Sequence, residues 1–317
     1  GPVLAGDSYE VYVMDASQPA LIEEYSDGLR KKIVDMVADA CSTLAPATLW
    51  ASVGTVDFAV NRRNNPEKTL PDILARGEKP KGPVDHDVPV LAARKPDGSL
   101  RAVAFSYACH NTTLSILQWC GDYAGFAQIA LEKRHPEALA LFHMGCGADQ
   151  NPLPRRTVEL CQQYGERLAS AVDEVVATPM RPLSGRLRTR LEILDLPYGE
   201  QPTAGQLQEM VSKPGPTNYQ KRWAQRLLDE LQAGKVFPKS YPYPIQVWKL
   251  GDDQLWVVLG SEVVVDYSLI LKKRYGPSTW VTAYANDVMC YIPSRRVWEE
   301  GRYEAGAFAT SGLPANS

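Results

Sequence analysis

The spacing of apolar positions changes period along the chain, and those changes predict alternating helices and strands. From Ser17 and Pro19 onward, Leu21, Ile22, Tyr25, Leu29, Ile33, Met36 and Val37 fall at helical spacing. Thr48–Phe58 reads as a strand interrupted at Gly54. The segment 61–83 is polar and rich in Pro, Gly and Asn, so it reads as a long loop, and long loops inside a domain are often functional. Val88–Arg94 and Arg101–Cys109 are apolar strands joined by Lys-Pro-Asp-Gly, a hairpin signal.

Further along, Gly121–Arg134 has a helical pattern and Ala138–Met144 that of a short buried strand. Thr157–Ala177 is a long amphipathic helix that starts near Thr157 as its cap. Leu187, Thr189, Leu191 and Ile193 alternate, as in a half-buried strand over Leu187–Leu196. Thr203–Ala233 is helical with a break at Lys213-Pro214-Gly215-Pro216. Ile245–Leu250 and Gln254–Leu259 form a second hairpin, Ser261–Arg274 a helix, and Thr279–Ala285 a last strand before an irregular segment to Ser317. Interleaved strands, helices and hairpins predict an α/β protein with mixed sheets. No internal repeat or low-complexity linker divides the chain, so 1–317 reads as one domain.

Composition narrows the partners. The chain has 317 residues, 44% of them hydrophobic, which is enough for a large core. With 34 basic and 37 acidic residues it offers no polyanion-binding surface, so nucleic acid is not an expected partner. No apolar run approaches the roughly 18–20 residues of a membrane span. The six cysteines include no Cys-x-x-Cys pair, which argues against a finger-type zinc site. Four histidines are too few for a His-only metal site.

Polar residues gather where predicted strands end. His110 follows an apolar strand into the turn Asn111-Thr112-Thr113, a place for a metal ligand, a general base or a hydrogen-bonded turn histidine. Gly145–Pro152 follows the next strand, either as an ordinary glycine turn or as a backbone that meets a ligand. Glu262 stands at a strand-to-helix switch, to cap the helix or to face a metal. Ala285–Arg296, with Tyr291, follows the last strand, and Gly301-Arg302-Tyr303-Glu304 comes after it. All four lie at C-terminal strand ends, where α/β folds place their sites, which supports one shared pocket. No Gly-x-Ser-x-Gly elbow occurs.

Together these motifs resemble the neutral/alkaline ceramidase family. The resemblance lies in Phe105–Thr113 (Phe-Ser-Tyr-Ala-Cys-His-Asn-Thr-Thr), Gly121–Gly125 (Gly-Asp-Tyr-Ala-Gly), Gly145–Pro152 and Gly260-Ser261-Glu262. It continues in Asn286-Asp287, Tyr291-Ile292-Pro293, Arg302-Tyr303-Glu304 and Asn61-Arg62-Arg63, in the family's order and over essentially the whole chain, closest to its bacterial, uncharacterised branch. It implies mixed β-sheets packed centrally and flanked by α-helices. It also implies zinc as cofactor, held in the family by two histidines, a glutamate and a tyrosine. By motif His110, Glu262 and Tyr291 take three of those places. Tyr303 and Arg62 match residues that meet the substrate carbonyl or oxyanion, and Tyr303 keeps the family's spacing of twelve positions from Tyr291. Asp149 or Asp122 would orient ligands.

Two departures shape the expectation. The family's other zinc histidine lies in a His-x-His-x-Gly-Pro motif, and this chain starts at Gly1-Pro2, read as the tail of that motif or as a tag-cleavage scar. Truncation is the preferred reading, and with it the chain as given would bind zinc poorly and lack activity. The family serine of Gly-Asp-x-Ser-Pro-Asn is Asn151 here, which cannot be a nucleophile but can donate to an oxyanion. The C-terminal immunoglobulin-like domain of long members is also absent from this sequence. The implied activity is zinc-dependent hydrolysis of an amide in an N-acyl sphingoid or other N-acyl lipid, with zinc-bound water as nucleophile. A family member without turnover that binds a lipid or a small molecule, and a zinc esterase of another substrate, are the rivals. The resemblance also implies a secreted or periplasmic protein in transient contact with a membrane surface; nothing in the sequence gives its oligomeric state.

Overall fold

A computed structural model of the chain describes residues 14–215 and 217–306. The Gly1-Pro2 start therefore lies outside the described residues, as does Pro216 of the predicted helix break. In chain order the elements are α1 (Gln18–Ser42), β1 (Thr48–Thr55), β2 (Ala59–Asn61), α2 (Leu70–Ala75), β3 (Asp87–Arg94), β4 (Leu100–Tyr107), α3 (Asp122–Arg134), β5 (Leu139–Met144), β6 (Gln150–Pro152) and α4 (Val158–Ala177). They continue as β7 (Arg181–Leu183), β8 (Arg188–Pro197), α5 (Ala204–Ser212), α6 (Asn218–Gln232), β9 (Ser240–Leu250), β10 (Gln254–Leu259) and β11 (Glu262–Val263). The last are α7 (Val265–Tyr275), β12 (Trp280–Thr282), β13 (Tyr291–Ile292), α8 (Arg295–Glu300) and α9 (Tyr303–Gly306).

The described residues divide into two compact units, a smaller one from 14–45 and 196–241 and a larger one from 46–195 and 242–306. In the smaller unit, capping boxes start both halves of the broken helix, Thr203 with Gln206 and Thr217 with Gln220. Leu207 of α5 packs there with Trp223, Leu227 and Leu228 of α6.

All the candidate site residues lie in the larger unit. It holds a five-stranded sheet, β5-β4-β3-β1-β7, and a four-stranded sheet, β12-β10-β9-β8, whose β8 and β9 run on into the smaller unit. Both sheets are mixed: β4 and β5 are parallel, as are β10 and β12, while β3–β4 and β9–β10 are the two predicted antiparallel hairpins. Alternate residues of a strand face opposite ways. Val88, Val90 and Ala92 of β3 accordingly join Tyr123, Leu131, Leu168 and Val172 of α3 and α4 in the main core. On the other face Ala51 and Leu91 meet Leu250, Trp256 and Trp280 of the four-stranded sheet. Sheets at the centre and helices outside are the expected α/β architecture.

Thr157 caps α4 through a hydrogen bond from Leu160 N (3.2 Å). Gly54, read as an interruption of β1, lies where α4 crosses closely: a Cβ there would come within 2.7 Å of Val175 Cγ2. Three expectations about local structure are corrected. β8 is a strand, but it is exposed along nearly its whole length rather than half-buried. The helix expected from Ser261 starts at Val265, because Glu262 and Val263 pair with Tyr291 and Ile292 instead. The segment after β12 is not irregular throughout, since it forms β13, α8 and α9.

Candidate active site

Two parallel strand pairs bring the site together. Because β4 runs alongside β5 and β10 alongside β12, each pair releases its loops at one end. Ala283 N, just past β12, donates to Met144 O at the end of β5 (3.0 Å), which ties the two ends together. Those loops carry His110, Asp149, Glu262 and the stretch to Tyr291.

His110 is held by the carbonyl of Gln150, which accepts from its backbone N–H (3.1 Å) and from its Nδ1 (3.0 Å). A carbonyl can only accept, so Nδ1 carries a proton and Nε2 is turned outward. Nε2 lies 3.2 Å from Glu262 Oε2. Tyr284 Oη is 3.3 Å from the same nitrogen and 3.2 Å from the same oxygen. The parallel pairing of β11 and β13 sets Glu262 beside Tyr291, whose hydroxyl also reaches the Glu262 carboxylate.

Arg62 follows β2 and closes the group. Its Nε donates to Glu304 Oε1 (2.7 Å), and its guanidinium carbon lies 5.2 Å from the ring centre of Tyr303 and 5.7 Å from that of Tyr291. Arg62 Nη2 is buried without a hydrogen-bond partner. The rings of Tyr291 and Tyr303 stand 5.3 Å apart, edge to face, and Tyr303 is the more open at 63% exposure. Asn151 lies on β6 opposite Val60 of β2, and its Oδ1 too is buried and unpartnered. The structure thus brings His110, Glu262, Tyr291, Arg62 and Tyr303 together.

Asp149 is engaged elsewhere. It is fully buried, and its two oxygens accept from Val265 N (2.9 Å) and Asn61 Nδ2 (3.0 Å). Burial pushes its carboxyl up. Asp149 therefore serves the first turn of α7, the task that Glu262 would have in a simple helix start, and Glu262 is left for the pocket. In Asp149→Asn one of the two acceptors becomes a donor facing another donor. A loss of about 1–3 kcal/mol in urea unfolding is expected; unchanged stability would show that these two bonds contribute nothing. Asp122, at φ 52°, accepts from Thr113 N (3.1 Å) and Leu114 N (2.9 Å) and holds the segment after His110.

The glycine turn after β5 has a local reason. A Cβ on Gly147 would lie 2.8 Å from Cys109 N, so the glycine lets the turn press against the backbone leading to His110. The amides of Gly145, Ala148 and Gln150 are committed to Tyr107, Val263 and Gly147 carbonyls.

Tyr284 was missed from sequence. It stands one residue before the segment singled out there, and a tyrosine at a strand end normally reads as packing. Its backbone is left-handed (φ 59°), as is that of Ser261 (φ 63°), and Tyr284 N donates to Ser261 O (3.0 Å). Such conformations cost energy in residues with side chains and gather at functional sites.

The electrostatics favour a cation. Burial by itself would raise the Glu262 carboxyl, but hydrogen bonds from His110, Tyr291 and Tyr284 outweigh it and hold the group below its usual range. Burial pushes both Tyr284 and Tyr291 up, and the Glu262 charge adds to the rise. His110 Nε2 and a Glu262 carboxylate oxygen face each other at 3.2 Å, across which a proton or a cation can be shared. Imidazole nitrogen with carboxylate and phenol oxygens is a donor set that fits zinc. Among the described residues no three His, Cys, Asp or Glu side chains converge, and the further oxygen beside His110 and Glu262 is that of Tyr284.

No protein-family model and no curated protein matches the chain. Among solved structures it is similar to the neutral ceramidase from Pseudomonas aeruginosa, with a TM-score of 0.64 and 18% identity, over 91% of this chain and 52% of that one. It is also similar to a ceramidase complexed with C2, with a TM-score of 0.60 and 17% identity, over 87% of this chain and 52% of that one. The chain has the fold of neutral ceramidase and spans about half the length of these solved chains.

Proposed function

We propose that the chain is part of a zinc-dependent hydrolase of the neutral ceramidase type that cleaves the amide of an N-acyl lipid. The observation that carries this reading is the meeting of His110, Glu262, Tyr291 and Arg62 at the joined strand ends of a neutral-ceramidase fold. His110, Glu262 and Tyr291 would hold the zinc. Bound there, zinc supplies Lewis acidity that polarises an acyl carbonyl and activates water near neutral pH. In hydrolysis water adds to the acyl carbon, the C–N bond breaks, and the departing amine takes a proton. Arg62 and Tyr303 are assigned the negative charge that develops on the acyl oxygen, and the unpartnered Nη2 of Arg62 supports that role.

The sequence near the site favours an apolar substrate. Between Thr113 and Asp122 there is no charged residue, and Ile116, Leu117 and Trp119 are exposed at 45%, 107% and 82%. No helix among the described residues is long and apolar enough to cross a membrane, so the proposed contact is with a lipid surface. The proposed location is secreted or periplasmic.

The test is release of fatty acid from N-acyl sphingoid and other N-acyl lipid substrates, with and without added zinc. Asn151 also allows a second reading, a protein that keeps the lipid pocket without turnover, and binding of the same lipids with no release would establish it. If Asn151 donates to the oxyanion, Asn151→Ala lowers turnover on the order of 10²-fold and leaves zinc content unchanged. Activity equal to wild type would remove Asn151 from the mechanism.

A further inference from the structure

All four histidines of the chain are placed, and only one is at the pocket. His86 Nε2 faces Ala59 O (2.9 Å), His135 Nε2 faces Asp173 Oδ1 (2.7 Å), and His143 Nδ1 faces Thr282 Oγ1 (2.8 Å). His110 alone meets Glu262. Beside that pair lies Tyr284 Oη, 3.3 Å from His110 Nε2 and 3.2 Å from Glu262 Oε2.

The three atoms His110 Nε2, Glu262 Oε2 and Tyr284 Oη form a nearly equilateral triangle with edges of 3.2, 3.2 and 3.3 Å. Tetrahedral zinc with bonds of about 2.0–2.1 Å sets its donor atoms about 3.3 Å apart. The triangle therefore has the size of one face of such a tetrahedron. The backbone supports the same end. Tyr284 and Ser261, which precedes Glu262, both adopt left-handed backbone and are joined by a hydrogen bond. The two donors are thus tied to each other through a backbone conformation that is costly for residues with side chains.

We propose that Tyr284 is a direct cation ligand, completing with His110 and Glu262 a three-donor face for zinc. This rests on the zinc reading above and changes its donor set. Tyr291, beside Glu262 and against Arg62, is then either the fourth donor or a group that holds the Glu262 carboxylate. Zn²⁺ held there would take the place of the phenol proton of Tyr284, and that proton would pass to solvent.

The experiment adds zinc to the metal-stripped chain and reads three quantities: bound metal per chain, zinc affinity, and the near-ultraviolet difference absorption of tyrosinate. Wild type, Tyr284→Phe and Tyr291→Phe are compared, and circular dichroism without metal checks that each is folded. The expected result is bound zinc with a tyrosinate band in wild type, against the poor binding that the truncation reading expects. In Tyr284→Phe the affinity falls at least tenfold and the band loses the Tyr284 share, with metal-free folding unchanged. Zinc affinity and band in Tyr284→Phe equal to wild type would overturn the ligand assignment while leaving the hydrolase reading intact. So would a wild-type chain that binds zinc without a tyrosinate band, or that binds no zinc at all. Conversely, tyrosinate-bound zinc in a chain that never cleaves N-acyl lipids would sink the hydrolase reading and leave Tyr284 as a ligand.

Discussion

Glu262→Gln is expected to lower hydrolysis of N-acyl lipids by at least 10²-fold, roughly the upper range seen when groups that merely support a metal ligand are removed. The substitution keeps the shape of the side chain and removes its charge. In the folded chain Glu262 is the acceptor shared by His110, Tyr284 and Tyr291, and those bonds hold its carboxyl below the usual range against the effect of burial. Its ionised form is therefore kept through neutral pH and into mild acid. The sign for stability follows: a carboxylate with a depressed folded value stabilises above its unfolded value, and that contribution is lost as pH falls through the folded one. Glu262→Gln should then weaken the acid dependence of both zinc binding and stability. A variant with full activity, or one whose zinc binding follows pH like wild type, would place the reaction elsewhere.

What the sequence made legible was local, and what it hid was long-range. The Lys-Pro-Asp-Gly turn, the cap at Thr157 and the broken helix around Pro214 are decided by neighbouring residues, and the structure has all three. The alternation of Leu187, Leu191 and Ile193 correctly gives a strand. But alternation tells which residues share a face and not whether anything covers it, and all three are more than half exposed. Glu262 looked like a helix cap because the acid that performs that task, Asp149, is more than a hundred positions away. The last elements escaped notice because they are only two to six residues long and are fixed by distant partners, β13 by β11, and α8 and α9 by Arg63 among others. Motif order located His110, Glu262 and Tyr291. Tyr284 belongs to no motif and emerged only from its distances to two of them.

Glu304→Ala is expected to produce the largest loss of stability, about 3–5 kcal/mol, the cost of breaking a buried ion pair from one side. Glu304 is 2% exposed and accepts from Arg63 Nη1 (2.5 Å) and Arg62 Nε (2.7 Å), and the Arg63 side chain is 1% exposed. Removing the carboxylate leaves two guanidinium groups side by side with little water. Arg63 keeps Glu300 (2.9 Å) and Gly301 O (2.8 Å), but Arg62 loses its ion pair and with it the bond that holds it beside Tyr291 and Tyr303. Activity should therefore fall in mild denaturant before the chain unfolds. Burial alone would raise the Glu304 carboxyl, but Arg63 and Arg62 outweigh it and hold it below the usual range. Its stabilising effect is thus present at neutral pH and is lost in acid as the pH falls through that depressed value. Urea unfolding at neutral pH and again in acid measures both effects. The gap between wild type and Glu304→Ala should narrow in acid. The double variant Arg63→Met with Glu304→Met should recover part of the loss seen in Glu304→Ala, because it removes one buried charge together with its partner. A Glu304→Ala chain within about 1 kcal/mol of wild type, the worth of an ordinary surface pair, would show that this cluster does not fasten the C-terminal helices to the Arg62 loop.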